Sequence, residues 1–192
     1  MRKAELSRKT RETDIAVSLD LDGKGEGAIE TGIGFFDHML TALCTHAGID
    51  LTVKAAGDLE VDCHHTIEDV GIVLGQALCK ALGDKGGIAR YGSFYVPMDE
   101  ALGFCALDVS GRPFLRFECA FQHAMMGGME TAMVEEFFRA LAMNAGITLH
   151  LSVPYGANDH HKAEALFKAF AHALKVAAAR TDGGVLSTKG VL

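Results

Sequence analysis

Two short runs carry side chains suited to metal chemistry: His64-His65-Thr66-Ile67-Glu68 and His160-His161-Lys162-Ala163-Glu164, both spaced H-H-x-x-E. If each opens a helix, its first His and its Glu are four residues apart, about 40° around the axis, and point the same way. The second His lies about 100° from the first. Adjacent histidines that diverge like this serve two ions more easily than they chelate one. Imidazole plus carboxylate suits borderline divalent ions such as Mn²⁺, Fe²⁺ or Zn²⁺, and the lack of cysteine partners speaks against a structural zinc. A lone HH pair near a helix start is ordinarily solvated decoration. Two copies with matching Glu spacing, at equivalent places of a repeated unit, point to metal instead.

Each run offers three ligands, so further ones are needed. His38, in FFDHML at the start of the preceding helix, is a candidate, and a step of 98 residues along the chain carries it onto Glu136 in VEEFFRAL. Eight candidates in two sets result: His38, His64, His65, Glu68, Glu136, His160, His161 and Glu164. Of the other histidines, His150 alternates with Leu149 and Leu151 and reads as a structural residue on the outer face of a strand. His123 and His172 read as exposed polar positions, and His46 as either a helix-end cap or a substrate contact. Arg90 after GDKGGIA, Arg112 after Ser110-Gly111, and Ser187, Thr188 and Lys189 in the tail could together form a phosphate pocket, because Arg forks and backbone N–H groups suit phosphate oxygens. The tail lacks the P-loop order GxxxxGK[ST], and no GxGxxG follows a strand, so nucleotide binding has no support.

The elements that must hold these groups repeat. Residues 13–21 alternate as a strand, the turn at Asp22-Gly23-Lys24-Gly25 suggests a hairpin to a short strand through Ile29, and a helix through Phe36 and Leu43 stops at Gly48. A strand through Ile49, Leu51 and Val53 leads to the first HHxxE helix, which ends at Gly83. The second half repeats this after an apparent inserted strand pair, with strands near 93–98, 102–109 and 113–121, the last two joined by Ser110-Gly111, a helix near 130–145, a strand through Leu151, and a helix over about 160–179. LCTHAGIDLTV recurs as LAMNAGITLHL 98 residues on, and DCHHTIED as NDHHKAEA 96 residues on. The expectation is one α+β domain over 1–192, built of half-repeats at about 10–85 and 90–180.

Composition bounds the class. The chain has 192 residues with 49% hydrophobic and 22% charged, the balance of a globular protein with a core. A net charge of −7 disfavours broad nucleic-acid or anionic-membrane binding. No apolar run approaches a membrane span, and the basic MRKAELSRKTRET is followed by no apolar signal region, so a cytoplasmic protein is expected. The five scattered cysteines read as free, small core residues. A di-metal hydrolase or a non-catalytic metal-binding shell would fit these observations.

The longer motifs FFDHML, DCHHTIED, GIARYGSFYVPMDEAL, LDVSGRP, NDHHKAEALFKAFAHAL and STKG, in this order, resemble the imidazoleglycerol-phosphate dehydratase family. The likeness runs from RKTRET to the terminal GVL. It implies a hydro-lyase of L-histidine biosynthesis that converts imidazole glycerol phosphate to imidazole acetol phosphate and water. It also implies two Mn²⁺ per active site and a homo-oligomer of twenty-four subunits with active sites at their interfaces. The implied fold is a tandem of sheet-plus-two-helix units (ribosomal protein S5 domain 2-like), packed through a helical layer. Carried over by position, the metal set is the eight residues above, with Glu136 standing where the family commonly has His. The implied catalytic set is Glu12, His38, His65, Glu68, His161 and Glu164. The implied substrate contacts are Glu12, His38, His46, His64, Arg90, Arg112, His160, Ser187, Thr188 and Lys189. The chemistry expected is expulsion of hydroxide by a metal-bound imidazolate, since no carbonyl acidifies the carbinol proton, with Glu12 as acid–base and Asp99 or Glu100 supporting ligand histidines.

Overall fold

Side-chain alternation builds two sheets of the same design. The computed structural model describes residues 2–190, so the last two residues of the terminal GVL lie outside it. The first half runs β1 (Lys3–Lys9), β2 (Thr13–Asp20), β3 (Gly27–Glu30), α1 (Gly34–Ala47), β4 (Asp50–Gly57) and α2 (His64–Leu82). The second runs β5 (Tyr91–Met98), β6 (Ala101–Asp108), β7 (Phe114–Glu118), the small hairpin β8 (Met125–Met126) and β9 (Met129–Glu130), α3 (Ala132–Ala145), β10 (Thr148–Tyr155) and α4 (Asp159–Ala177). The strand orders are β1-β2-β4-β3 and β5-β6-β10-β7, so the halves share one topology, an α+β fold of two mixed four-stranded sheets, each packed with helices.

Two expected hairpins do not form. β3 pairs in parallel with β4, not with β2, and β7 pairs in parallel with β10, not with β6. The inner edge of β2 is taken by β4 along its whole length, so β3 must reach the far side of β4. The helix between β3 and β4 supplies the crossover that a parallel pair requires. Asp50 fixes the departing loop by accepting the N–H groups of Lys24, Gly25 and Glu26. Nor is β5–β6 an insertion. It is the counterpart of β1–β2, and β1 leaves little trace in the sequence because the inner face of KAELSRK holds Ala4, Leu6 and Arg8, only two of them apolar, as in a charged edge strand.

α1 and α3 end at left-handed glycines, Gly48 (φ 70°) and Gly146 (φ 67°), while α2 gives way to Gly83 and α4 to Ala178, neither in the left-handed helical conformation; the four helices are thereby cut to length. They pack between the sheets, α2 against α3 and α1 against α4. Phe36, Phe137, Phe138, Phe167 and Phe170 fill this layer fully buried, with Phe36 and Phe137 centroids 5.2 Å apart and Phe137 and Phe167 5.3 Å apart. Gly71 and Gly75 let α2 close on α3: a Cβ on Gly75 would sit 2.6 Å from the Leu141 carbonyl oxygen and 2.8 Å from the Asn144 Cβ. Gly75→Ala gains about 1 kcal/mol of helix propensity but meets an overpacking cost of about 1–3 kcal/mol, so the expected outcome in calorimetry is a lowered Tm. A raised Tm would show that the two helices part freely.

Candidate metal centre

The first turn of α4 is fixed before any ligand is counted. The Asn158 side chain accepts the N–H groups of His160 and His161, and the buried Asp159 accepts from Gln122 N, His123 N, His123 Nδ1 and the buried Lys162 Nζ. From this turn His160 and His161 diverge, with ring planes 81° apart; His64 and His65 at the head of α2 diverge by 74°. His160 Nε2 lies 3.0 Å from Glu164 Oε2, and the packing of α1 on α4 brings His38 Nε2 to 3.5 Å from the same oxygen. One ligand atom from each of His38, His160 and Glu164 fits within 4.8 Å of the others, the one such group of three among the described residues. Burial would push the Glu164 carboxyl up, but Lys168 Nζ at 2.6 Å, with His160 and His38, outweighs it and holds the group below its ordinary range.

The other candidates stand apart from this group. His64 Nε2 is 3.9 Å from Glu68 Oε2. Glu136 is half-buried and faces Arg139 at 3.6 Å, without joining a three-ligand cluster. The second histidine of each pair is held at Nδ1: His65 by Asp58 Oδ2 at 2.9 Å, and His161 by Glu100 Oε2 at 2.7 Å, which leaves each Nε2 for another partner. Asp99 Oδ2 lies 3.7 Å from His161 Nε2, and Glu12 Oε2 lies 3.9 Å from His65 Nδ1. The Asp58 hydrogen bond raises the His65 pKa, and the Glu100 hydrogen bond raises that of His161. Backbone N–H donation from Asn158, followed by the His161 contact, lowers the Glu100 carboxyl to about 2.

The expected phosphate residues meet at the far end of the second sheet. Arg90, Tyr91, Arg112 and Val185 through Lys189 line a cavity of about 810 Å³. Arg90 is buried, forks onto Asp108 at 2.7 and 3.0 Å, donates to the Leu186 carbonyl at 2.6 Å and lies over the Tyr91 ring. Arg112 is exposed and shares Asp108 at 3.3 Å, and Ser187 Oγ accepts the Lys189 N–H. His46 is joined to neither group. Its Nδ1 lies 3.2 Å from His172 Nε2, and Phe94 stacks on His172, which is half-buried, not exposed as its surroundings in sequence suggested. His123 is exposed as expected, yet bound to Asp159; the cysteines are free, with burial pushing the Cys119 thiol up to about 11. Asp58, Asp159 and Lys162 went unnoticed in the sequence. Lys168 did too, although its place four residues after Glu164 is a readable ion-pair signal.

A family model described as imidazoleglycerol-phosphate dehydratase matches residues 31–174. The chain is 60% identical to the imidazoleglycerol-phosphate dehydratase of Acetivibrio thermocellus over 100% of this chain and 99% of that one, and 59% identical to that of Streptococcus sanguinis over 100% of both. The crystal structure of the Staphylococcus aureus dehydratase is similar at a TM-score of 0.85 and 41% identity, covering 93% of this chain and 99% of that one.

A metal held by the paired histidines would compete with protons for them. Because carboxylates raise the His65 and His161 pKa values, each imidazole keeps its proton to a higher pH than a free one, and a ligand nitrogen must be deprotonated. Mn²⁺ affinity, measured by titration calorimetry, is expected to be full above the raised values and to fall as pH drops through them. An affinity flat from about pH 8 down to pH 5.5 would exclude these two histidines as ligands.

Proposed function

The chain belongs to the imidazoleglycerol-phosphate dehydratase family, hydro-lyases of histidine biosynthesis that turn imidazole glycerol phosphate into imidazole acetol phosphate and water, and we propose that its HHxxE runs and Glu12 carry out that dehydration. The observation that carries the metal part of this reading is the convergence of His38, His160 and Glu164. Imidazole and carboxylate donors without thiolates suit a hard-to-borderline divalent ion, so the residues fit the Mn²⁺ expected for the family. His64, His65, Glu68, Glu136 and His161 complete the set for two ions per site. When bound, such ions would lower the pKa of a coordinated imidazole N–H and so let the substrate ring donate electrons.

This chain's own residues orient the substrate and move its protons. Arg112, Lys189 and Ser187, with Thr188 and the tail held by Arg90, take the phosphate and fix the distance to the reacting carbon. Glu12, with its side chain 56% exposed and 3.9 Å from His65, is free to remove the carbinol C–H proton and return it on the way to the ketone. His46 stands at the end of α1 and remains a candidate substrate contact. The Nε2 of His65 has no partner among the described residues and that of His161 faces only the exposed Asp99 at 3.7 Å, which supports a site completed across subunits in a homo-oligomer, twenty-four by family expectation. Among the described residues no helix is long and apolar enough to cross a membrane, and the reading assigns the enzyme to the cytoplasm as a single functional domain.

Glu12→Gln is expected to keep Mn²⁺ content and assembly while kcat falls by about 100-fold or more; turnover close to the wild type would remove Glu12 from the acid–base role. Chelation with EDTA is expected to shrink the particle in light scattering, because ligands from different subunits share each ion. A particle of unchanged size would separate assembly from metal.

A further inference from the structure

The two halves solve one local problem with different residues. Strands β1 and β2 map onto β5 and β6 by a constant step of 88 residues, which carries Glu12 onto Glu100, each in the turn before the second strand. Each faces the second histidine of its own half, yet at different ranges: Glu12 Oε2 is 3.9 Å from His65 Nδ1, and Glu100 Oε2 is 2.7 Å from His161 Nδ1. Glu100 is fully engaged, since it also accepts the N–H groups of Ala157 at 3.0 Å and Asn158 at 2.7 Å. The Glu12 side chain makes no hydrogen bond among the described residues; only its backbone N–H is bound, to Thr10 Oγ1.

The difference traces to Asp58. β4 ends at Gly57, paired with Thr13, so Asp58 emerges next to Glu12 and reaches His65 Nδ1 first, at 2.9 Å. Gly57 permits this, because a Cβ there would sit 2.0 Å from Thr66 Oγ1 in the first turn of α2. In the second half the register shifts between Ser152 and Tyr155, and the residue after β10 is Gly156, whose own Cβ would lie 2.8 Å from the Ala101 Cβ. No carboxylate stands there, and Glu100 serves His161 in its place. Asp58 is also costly to keep: its Oδ1 is buried without a hydrogen-bond partner among the described residues, an arrangement that works against stability.

We propose that Asp58 is a positioning residue that takes the Nδ1 of His65 and so leaves the Glu12 carboxylate free to meet the substrate, whereas Glu100, the same position in the other half, is consumed in anchoring His161. The proposal rests on the acid–base reading of Glu12. Its test compares wild type, Asp58→Ala, Asp58→Asn and Glu12→Gln as assembled holoenzymes, reading Mn²⁺ affinity, kcat, KM and Tm separately. Asp58→Ala is expected to weaken Mn²⁺ binding by about 10–100-fold. At saturating Mn²⁺ it is expected to lower kcat by about tenfold with KM little changed, while Tm stays level or rises. Asp58→Asn, which keeps an acceptor for Nδ1, is expected to restore affinity and kcat to within about threefold of wild type. Wild-type affinity and kcat in Asp58→Ala would overturn the proposal, as would a lowered Tm with losses that Asp58→Asn does not rescue, the mark of a merely structural role. The two readings fail separately: an active Glu12→Gln enzyme overturns the acid–base reading and with it the freeing of Glu12, while Mn²⁺ affinity in Asp58→Ala reports the hold on His65 alone.

Discussion

The packing of α1 against α4 carries the rest of the structure. A ligand group needs three side chains from distant parts of the chain within a few ångströms, and nothing local can bring His38 to Glu164. The phenylalanine-filled helical layer does so by burying Phe36 on Phe137 and Phe137 on Phe167, which sets the two helix starts side by side. Burial of this much aromatic surface is the large term, and the polar contacts at the helix heads are positioned by it. Glu164 lies at the border of that layer, which is why Lys168 must sit on it: an isolated carboxylate there would be driven to take up a proton.

Much of this was legible from residue order alone. The four long helices, the glycine stops of three of them and the likeness of the two halves follow from periodicity and repeat spacing, because the buried face of a helix leaves a plain signature; the meeting of His38 with the second HHxxE run does not, since it depends on how α1 packs on α4. Strand partners were not legible in the same way. Turns at Asp22-Gly23 and Ser110-Gly111 looked like hairpins, yet the neighbours they join are separated by β4 and β10, and local turn chemistry says nothing about which edge a later strand will claim. β1 was missed because a charged edge strand has almost no apolar alternation. Asp58 could not be singled out either, since its role depends on where β4 ends over α2, a tertiary fact.

The two halves share one frame but not the same contacts. Matched positions hold an exposed carboxylate without a hydrogen bond in one half and an anchored one in the other, and the exchange turns on a single strand end: an aspartate after β4, a glycine after β10. Two HHxxE heads alike in sequence thereby stand in unlike surroundings.

Asp108 gives the tail-lined cavity a character that its shape does not. It lies between Arg90 and Arg112, cancelling one of three cations once Lys189 is counted, so the excess is two positive charges. A phosphate monoester in its dianionic form would bring that cavity to neutrality, whereas a diester or an uncharged polyol would leave it unbalanced. Charge count thus sets a constraint that contour does not: an anion carrying two negative charges would neutralise this end of the sheet, and one carrying a single charge would not.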